Sequence, residues 1–230
     1  MTNTRESLGA KAHERLYELS PLLHETLVQL EMMPQREFQS VEELMQALDG
    51  IDEIIIDATA PKGLPAYRRP QDAQQQQAHY SGKKKQHTLK NTIITTTAKV
   101  ILFVGRTFSG HHHDYTMLKT EFPPDDDWFA ALTVLVDLGY LGIRTDYTGA
   151  DILLPHKKPR QSQRHPQPAL TPEQKADNRA ISQVRVAIEQ AIAGLKRYNI
   201  LVHRFRNRRA TFHDDVIALC AGLWNFALIY

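Results

Sequence analysis

The chain has 230 residues, 42% of them hydrophobic and 23% charged, so it is long enough to bury a substantial core and has the composition of an ordinary globular protein. A single cysteine, Cys220, excludes a disulfide framework and a cysteine-based metal site, which suits a reducing cytoplasm. Neither a run of about 18 apolar residues nor an apolar N-terminal signal region is present, so nothing in the sequence indicates a membrane.

The formal net charge of +2 conceals an uneven distribution along the chain. Residues 1–60 contain 4 Lys and Arg against 12 Asp and Glu, a net charge of −8, whereas residues 151–210 contain 13 against 4, a net charge of +9. The basic charges of the second region are interleaved with Leu, Ile, Val and Phe, which is typical of a folded segment. This distribution predicts a basic surface that binds nucleic acid.

Two helices are predicted before the first strand. The first covers residues 7–33, ends before Pro34, and places five leucines on one side: Leu16, Leu19, Leu23, Leu27 and Leu30. The second covers residues 40–48, with Ser40 as N-cap and Glu43 three positions later, the pattern of a capping box. We therefore expect a helical N-terminal extension over residues 1–50, followed by one larger domain over residues 51–230.

The middle of the chain has the pattern of strands. The first strand ends at Asp57 and is followed by a Gln-rich loop that contains prolines. Two β-rich runs, 87–97 and 99–105, predict a hairpin, and a short helix is expected after His113. Two further strands are predicted, one before Asp137 and one over residues 152–155.

The C-terminal part has the pattern of helices. A polar connection punctuated by prolines leads to a long helix, for which Thr171 is the predicted N-cap before Pro172 at the first helical position. A last helix spans roughly 213–229, and Trp224 and Phe226 are its predicted core residues.

Three acidic residues lie far apart in sequence, each in a setting that suits metal-ion catalysis. Asp57 and Asp137 end the apolar runs 54–56 and 133–136, and Glu189 lies within a segment of helical periodicity. Small hard cations prefer oxygen ligands, and two such cations stabilise both the attacking and the leaving oxygen of a phosphodiester displacement. Strands also end in Asp because of turn geometry, so the two aspartates alone leave the function open.

The neighbours of Glu189 have an informative spacing. Arg185, Glu189 and Lys196 lie at i, i+4 and i+11, along one face of a helix. The adjacent stripe is apolar and is predicted to be buried: Ile181, Val184, Ile188, Ala191 and Leu195. The helix would then turn its charged face toward a groove, although an ordinary i, i+4 ion pair on a solvated surface has the same spacing.

The sequence resembles the DDE transposases of bacterial insertion sequences, in the branch that is also similar to the Harbinger-type nucleases. The resemblance covers most of the chain from about residue 51 and rests on motifs in a fixed order: IDAT at 56–59, YSGKKKQHTLKN at 80–91, HD at 113–114, DLGYLG at 137–142, LPHKKPR at 154–160, the Arg185, Glu189 and Lys196 array, RFRNRR at 204–209 and GLWNF at 222–226. Two positions depart from the family pattern, Ser182 in place of a Tyr and Ala58 in place of a Gly.

This resemblance implies a fold, an activity and a site. The fold is an α/β, ribonuclease-H-like mixed sheet with flanking helices, preceded by the short helical extension. The activity is metal-dependent cutting and joining of DNA strands at the ends of an insertion sequence, with Mg²⁺ or Mn²⁺ as cofactor. Asp57, Asp137 and Glu189 carry over as the catalytic and metal-binding triad. The implied partner is DNA, both the element ends and the target, and the protein is expected to form a homo-oligomer on DNA and to associate with the nucleoid.

Basic residues of several motifs are candidates for contacts with DNA phosphates. They are Lys83, Lys84, Lys85, Arg185, Lys196, Arg204, Arg206, Arg208 and Arg209. The three lysines are equally compatible with a solvated turn, and the segment at 204–209 with an exposed strand whose Phe205 points inward.

Other interpretations stay open at this point. Asp114 follows three histidines and either ligates a metal or begins a helix, where its charge is favoured near the helix N-terminus. No helix-turn-helix is evident before the first strand, so an upstream DNA-binding module is expected to be missing or encoded separately. Two alternative functions are a nuclease of the same fold that does not join strands, and a catalytically silent DNA-binding remnant.

Overall fold

The computed structural model describes residues 3–60, 80–82, 85–161, 168–203 and 211–230. The Gln-rich loop and the arginine-rich segment at 204–209 lie outside these residues. The described helices are α1 (Asn3–Gln29), α2 (Val41–Leu48), α3 (Asp114–Glu121), α4 (Ile143–Asp146), α5 (Pro172–Leu195), α6 (Asn199–Val202) and α7 (Phe212–Ile229), with a 3₁₀ helix at Leu138–Tyr140. The described strands are β1 (Glu53–Thr59), β2 (Tyr80–Ser81), β3 (Gln86–His87), β4 (Leu89–Thr95), β5 (Ile101–Val104), β6 (Phe108–Ser109), β7 (Phe129–Leu135) and β8 (Gly149–Leu153).

One mixed sheet organises the molecule. Its strand order is β5-β4-β1-β7-β8, with β6 also paired to β4, while β2 and β3 form a separate two-stranded ladder. The pairs β1–β4 and β4–β5 are antiparallel, and the pairs β1–β7 and β7–β8 are parallel. Such a mixed sheet with helices on both faces confirms the predicted ribonuclease-H-like architecture, including the hairpin of β4 and β5.

Alternation along the strands builds a core on each face of the sheet. In β1, Ile54 and Ile56 pack in one cluster with α2 and α3, whereas Ile55 packs in the other with α5 and α7. Because successive side chains of a strand point to opposite faces, the residue after Ile56 points toward α5. That residue is Asp57.

Two helix starts follow the predicted capping patterns. Thr171 caps α5 and accepts a hydrogen bond from the Gln174 backbone, and the Gln174 side chain accepts one from the Thr171 backbone, which completes a capping box. Ser40 caps α2 as expected. The Glu43 carboxylate, however, accepts from the backbone N–H of Gln39 rather than of Ser40, so this capping box is displaced by one residue.

The leucines predicted on one side of the first helix are exposed, by at least 36%, except for the buried Leu27, and Leu30 lies just beyond the end of α1. One expectation about burial was wrong. Phe226 is 37% exposed, whereas Trp224 is buried as predicted.

Helix α7 is long and apolar enough to cross a membrane by composition alone, the one such helix among the described residues. In this fold 61% of it is buried, and it carries core residues such as Ile217 and Trp224. Its apolar character therefore has a sufficient cause in the packing against β5 and α5.

Candidate active site

Asp57 and Asp137 lie near the ends of two neighbouring strands. Residues Ile55 and Leu135 are the last register partners of the parallel pair β1–β7. The strand ends differ from the prediction, since β1 continues past Asp57 to Thr59 and β7 ends at Leu135, two residues before Asp137. The two neighbouring chains carry both aspartates toward the same edge of the sheet, and the negative charge of Asp137 acts on Asp57. The joint role of the two residues as metal ligands stays a prediction.

Helix α5 places a guanidinium directly on Asp57. The Nη2 atom of Arg185 donates to Oδ2 of Asp57 at 3.0 Å, and the two side chains are only 13% and 21% exposed. The backbone N–H of Ala58 donates to the other carboxylate oxygen at 2.7 Å. The Nε atom of Arg185 is buried and has no acceptor among the described residues. A buried donor without an acceptor is costly, which points to a missing acceptor at this position.

The acidity of Asp57 reflects this setting. Its pKa is raised to about 6, first because burial disfavours the charged form. The Ala58 N–H and the Arg185 charge oppose this rise, and the negative charges of Asp137 and Asp114 add to it. Repulsion between the clustered carboxylates thus contributes less to the raised pKa than burial does.

Asp137 is the N-cap of the 3₁₀ helix, and a hydrogen bond from that helix orients its side chain. Its Oδ1 atom accepts from the backbone N–H of Gly139 at 2.7 Å. A Cβ atom at Gly139 would lie 2.7 Å from that oxygen and 3.8 Å from Oδ2 of Asp114. Gly139 therefore keeps open the space between two carboxylates.

Asp114 is a third carboxylate of the site, outside the predicted triad. It is the first residue of α3, as the helix-start interpretation predicted, but its charge also acts on Asp57. The ammonium of Lys90 donates to its Oδ1 atom at 2.8 Å and to the carbonyl of His112 at 2.7 Å. The sequence signal was the HD motif at 113–114. The charges of Asp137 and Asp114 both raise the pKa of Asp57, and the place of Asp137 in the triad stays a prediction.

Tyr140 lies beneath these carboxylates. It is fully buried, and its hydroxyl has no hydrogen-bond partner among the described residues. Burial raises its pKa well above the ordinary value, and the negative charges of Asp57, Asp114, Asp137 and Glu121 raise it further.

The predicted helix residues are placed unequally. Arg185 contacts Asp57, whereas Glu189 is exposed one turn later on α5, and Lys196 is the exposed C-cap of the same helix. Helical side chains lean toward the helix N-terminus, so the Glu189 carboxylate points back along the turn that carries Arg185. Its approach to the aspartate pair stays a prediction.

The donor chemistry fits a hard divalent cation. Asp57, Asp137 and Asp114 offer carboxylate oxygens at one edge, around the space that Gly139 leaves open. Within the described ranges, however, no three His, Cys, Asp or Glu side chains are close enough together to bind one ion. The aspartate pair is therefore the candidate metal site. The consecutive histidines are not clustered, since the His112 ring lies within hydrogen-bond distance of Ser109 and His113 occupies the N-cap position of α3 without a side-chain hydrogen bond to the helix.

Most of the predicted DNA contacts lie outside the residues that the structure describes. Lys85 is exposed in the turn between β2 and β3, where it adopts a φ of 50°. The others, apart from Arg185 and Lys196, lie outside the described residues: Lys83, Lys84, Arg204, Arg206, Arg208 and Arg209.

Comparisons with known proteins identify a family for this chain. The family model described as "DDE superfamily endonuclease" matches residues 64–225, more than half of the chain. A protein of Microchaete diplosiphon, described as a probable transposase for insertion sequence element IS702, is 31% identical over 165 residues, which are 70% of this chain and 53% of the relative. The chain thus spans about half the length of that relative. No solved structure matches the chain.

Proposed function

Because the chain belongs to the DDE superfamily endonucleases, we propose that it is the catalytic domain of an insertion-sequence transposase. It would hydrolyse phosphodiesters at the ends of the element and transfer the freed 3′ ends to target DNA. The observation that supports this proposal is the parallel pairing of β1 and β7, which carries Asp57 and Asp137 toward one edge of the sheet, where Arg185 of α5 donates to Asp57. Metal dependence is part of the proposal, since nucleases of this superfamily generally use divalent metals.

Each residue of the site has a proposed role. Asp57 and Asp137 would hold a divalent ion, and Glu189 would complete the ligand set from α5. Such an ion would supply positive charge to the attacking and leaving oxygens. Asp114, oriented by Lys90, supports the ion from the side of α3. Arg185 and Lys196 hold the DNA backbone or orient Glu189.

The proposal also includes the binding partners of the protein and its location in the cell. The element ends and the target would be bound by a homo-oligomer, since two ends have to be handled together. The protein would act in the cytoplasm, on the nucleoid.

One alternative is favoured by a specific observation. Glu189 is exposed, and the described residues contain no completed three-ligand cluster, as expected of a catalytically silent DNA-binding protein. The two functions differ in whether Asp57 is needed for chemistry.

Asn variants of the aspartates test the proposal. Mn²⁺ at a hundred times its Kd should stabilise the wild type by about 2.7 kcal/mol, a rise in Tm of about 5–10 °C for a chain of this size. Asp57→Asn and Asp137→Asn should lose plasmid nicking and most of that shift, because each removes a ligand charge. Asp125→Asn, in the exposed loop before β7, is the matched control and should behave as wild type. Equal Tm shifts in all four proteins, with no nicking above background by any of them, would leave the silent DNA-binding function as the better account.

Strand joining is tested separately with a pre-cut duplex that carries a free 3′-hydroxyl. Products in which this end is linked to a target plasmid support a transposase. Nicking that depends on Asp57 without any linked product would indicate a nuclease that cuts but does not join.

A further inference from the structure

The segment that follows β8, residues 154–160, emerges at the candidate active site. Strand β8 is the parallel neighbour of β7, and Leu135 pairs with Leu153 in register. Two residues further on, Pro155 lies level with Asp137, at the same carboxyl edge of the sheet. The segment therefore leaves the sheet beside the aspartate pair, although the sequence pattern alone indicated only a polar connection.

A reciprocal pair of hydrogen bonds fastens this segment to α5. The backbone N–H of His156 donates to Oδ1 of Asn178 at 2.7 Å, and Nδ2 of Asn178 donates to the His156 carbonyl at 3.0 Å. The His156 ring also lies 3.0 Å from the carboxylate of Asp177. Because both backbone groups of one residue are held by one amide, the direction of the chain at His156 is set by the helix.

The fastening point lies on the same helix face as Arg185. Asn178 precedes Arg185 by seven residues, which is two turns and about 10 Å along the axis. In the part of α5 before Arg185 only Ile181 is buried, so this half of the helix is largely open to solvent. The fastened segment therefore lies against the helix face that also carries Arg185 and its contact with Asp57.

Three cations follow the fastening point directly. Lys157, Lys158 and Arg160 are all exposed, and none forms an ion pair with a described residue. Pro159 lies between them and restricts the backbone. These three positive charges form no ion pair with a described residue and lie near an acidic site. They therefore suit a polyanion that approaches that site.

We infer that residues 154–160 form a phosphate-binding segment that guides the DNA backbone toward the aspartate pair, with Lys157, Lys158 and Arg160 as its phosphate contacts. His156 and Asn178 act as positioning residues, since they hold the segment at a set distance from Arg185. The two helical turns between Asn178 and Arg185 span about 10 Å, which equals the rise of about three nucleotides along one strand of a duplex. The inference rests on the proposed function and adds DNA contacts that differ from those predicted at 83–85 and 204–209.

The double variant Lys157→Ala/Lys158→Ala tests the contacts. Binding of a labelled 30-base-pair duplex of arbitrary sequence would be measured by anisotropy in EDTA, over a range of salt concentrations. Two lost phosphate contacts should weaken binding by about tenfold or more near 0.1 M salt. The plot of log affinity against log salt concentration should become less steep, by about two. The charge-matched control, Lys11→Ala/Arg15→Ala on the exposed surface of α1, should keep the wild-type slope.

Asn178→Ala tests the positioning role. We expect it to bind DNA more weakly than the wild type does, with a smaller loss of affinity than in the double variant. Because the net charge is unchanged, this loss would be due to the missing hydrogen bonds to His156. Thermal unfolding of each variant checks that it is folded.

Two outcomes overturn the inference: a double variant that binds as the wild type or the control does, or a wild type that binds no duplex. Failure of the proposed function is seen elsewhere, as plasmid nicking that does not depend on Asp57. Each idea can therefore fail without the other.

Discussion

Arg185 holds Asp57 through a hydrogen-bonded ion pair of 3.0 Å, on one of the two carboxylate oxygens that Asp57 could offer to a divalent ion. The guanidinium supplies positive charge beside a buried acid whose pKa is nevertheless raised to about 6. Since its Nε atom has no acceptor among the described residues, Arg185 is left with an unmatched donor in this arrangement. A DNA phosphate would match that donor, and a bound cation would replace the guanidinium at Asp57.

Replacing Arg185 should therefore strengthen metal binding in the absence of DNA. We expect Arg185→Gln to bind Mn²⁺ about tenfold more tightly, because one competing positive charge is removed at close range. The same variant should nick DNA poorly, since it lacks a phosphate contact. Isothermal titration with Mn²⁺ measures the affinity, and Arg179→Gln, an exposed position on the same helix, is the control. Weaker Mn²⁺ binding by Arg185→Gln would mean that Arg185 orders Asp57 for the ion instead of competing with it.

Gly139 should be required for the geometry of the carboxylates. A methyl group there would lie 2.7 Å from Oδ1 of Asp137, which is too close, so Asp137 would have to shift. We expect Gly139→Ala to lose most Mn²⁺ affinity and nicking while it remains folded. Gly82→Ala is the matched control, since a Cβ there meets no atom within 4 Å. Wild-type Mn²⁺ affinity in Gly139→Ala would show that Asp137 does not need its present position.

Glu121 should make the folded state less stable as the pH rises. Burial raises its pKa to about 7, against 4.5 for a free side chain, although the Thr92 hydroxyl and the charges of Arg106 and Arg36 oppose the rise. A carboxyl group with a higher pKa in the folded state binds more protons there, so the free energy of unfolding decreases as the pH rises from about 4.5 to about 7. Glu121→Gln removes this dependence.

The difference between Glu121→Gln and wild type is the quantity to measure, because other groups titrate equally in both. Urea unfolding at pH 4, 6 and 8 should show the variant gaining stability over the wild type with rising pH, by on the order of 3 kcal/mol at pH 8. A difference that does not change with pH would show that the Glu121 carboxyl ionises normally in the folded protein.

Local patterns in the sequence were sufficient for most of the elements. The Thr171 cap and the hairpin of β4 and β5 depend on neighbours within a few residues, and each was predicted. The two strand ends are displaced from their predicted positions, since β1 continues past Asp57 to Thr59 and β7 ends at Leu135, before Asp137. The division at residue 50 stays a prediction. Gln35 bridges to Phe103 of β5, and Arg36 pairs with Asp214 of α7 at 2.6 Å, so the segment between α1 and α2 contacts the sheet and the last helix.

By itself, the sequence determined where helices and strands form and that Asp57 and Asp137 lie close to the ends of the two central strands, because periodicity and caps act over one or two turns. Only the tertiary structure decided which side chains meet. It brought Asp114 to the aspartate pair, set Arg185 rather than Glu189 on Asp57, and fastened His156 to Asn178. These contacts depend on strand order and on the position of α5 across the sheet, which bring together residues more than twenty positions apart and leave no periodic signal along the chain.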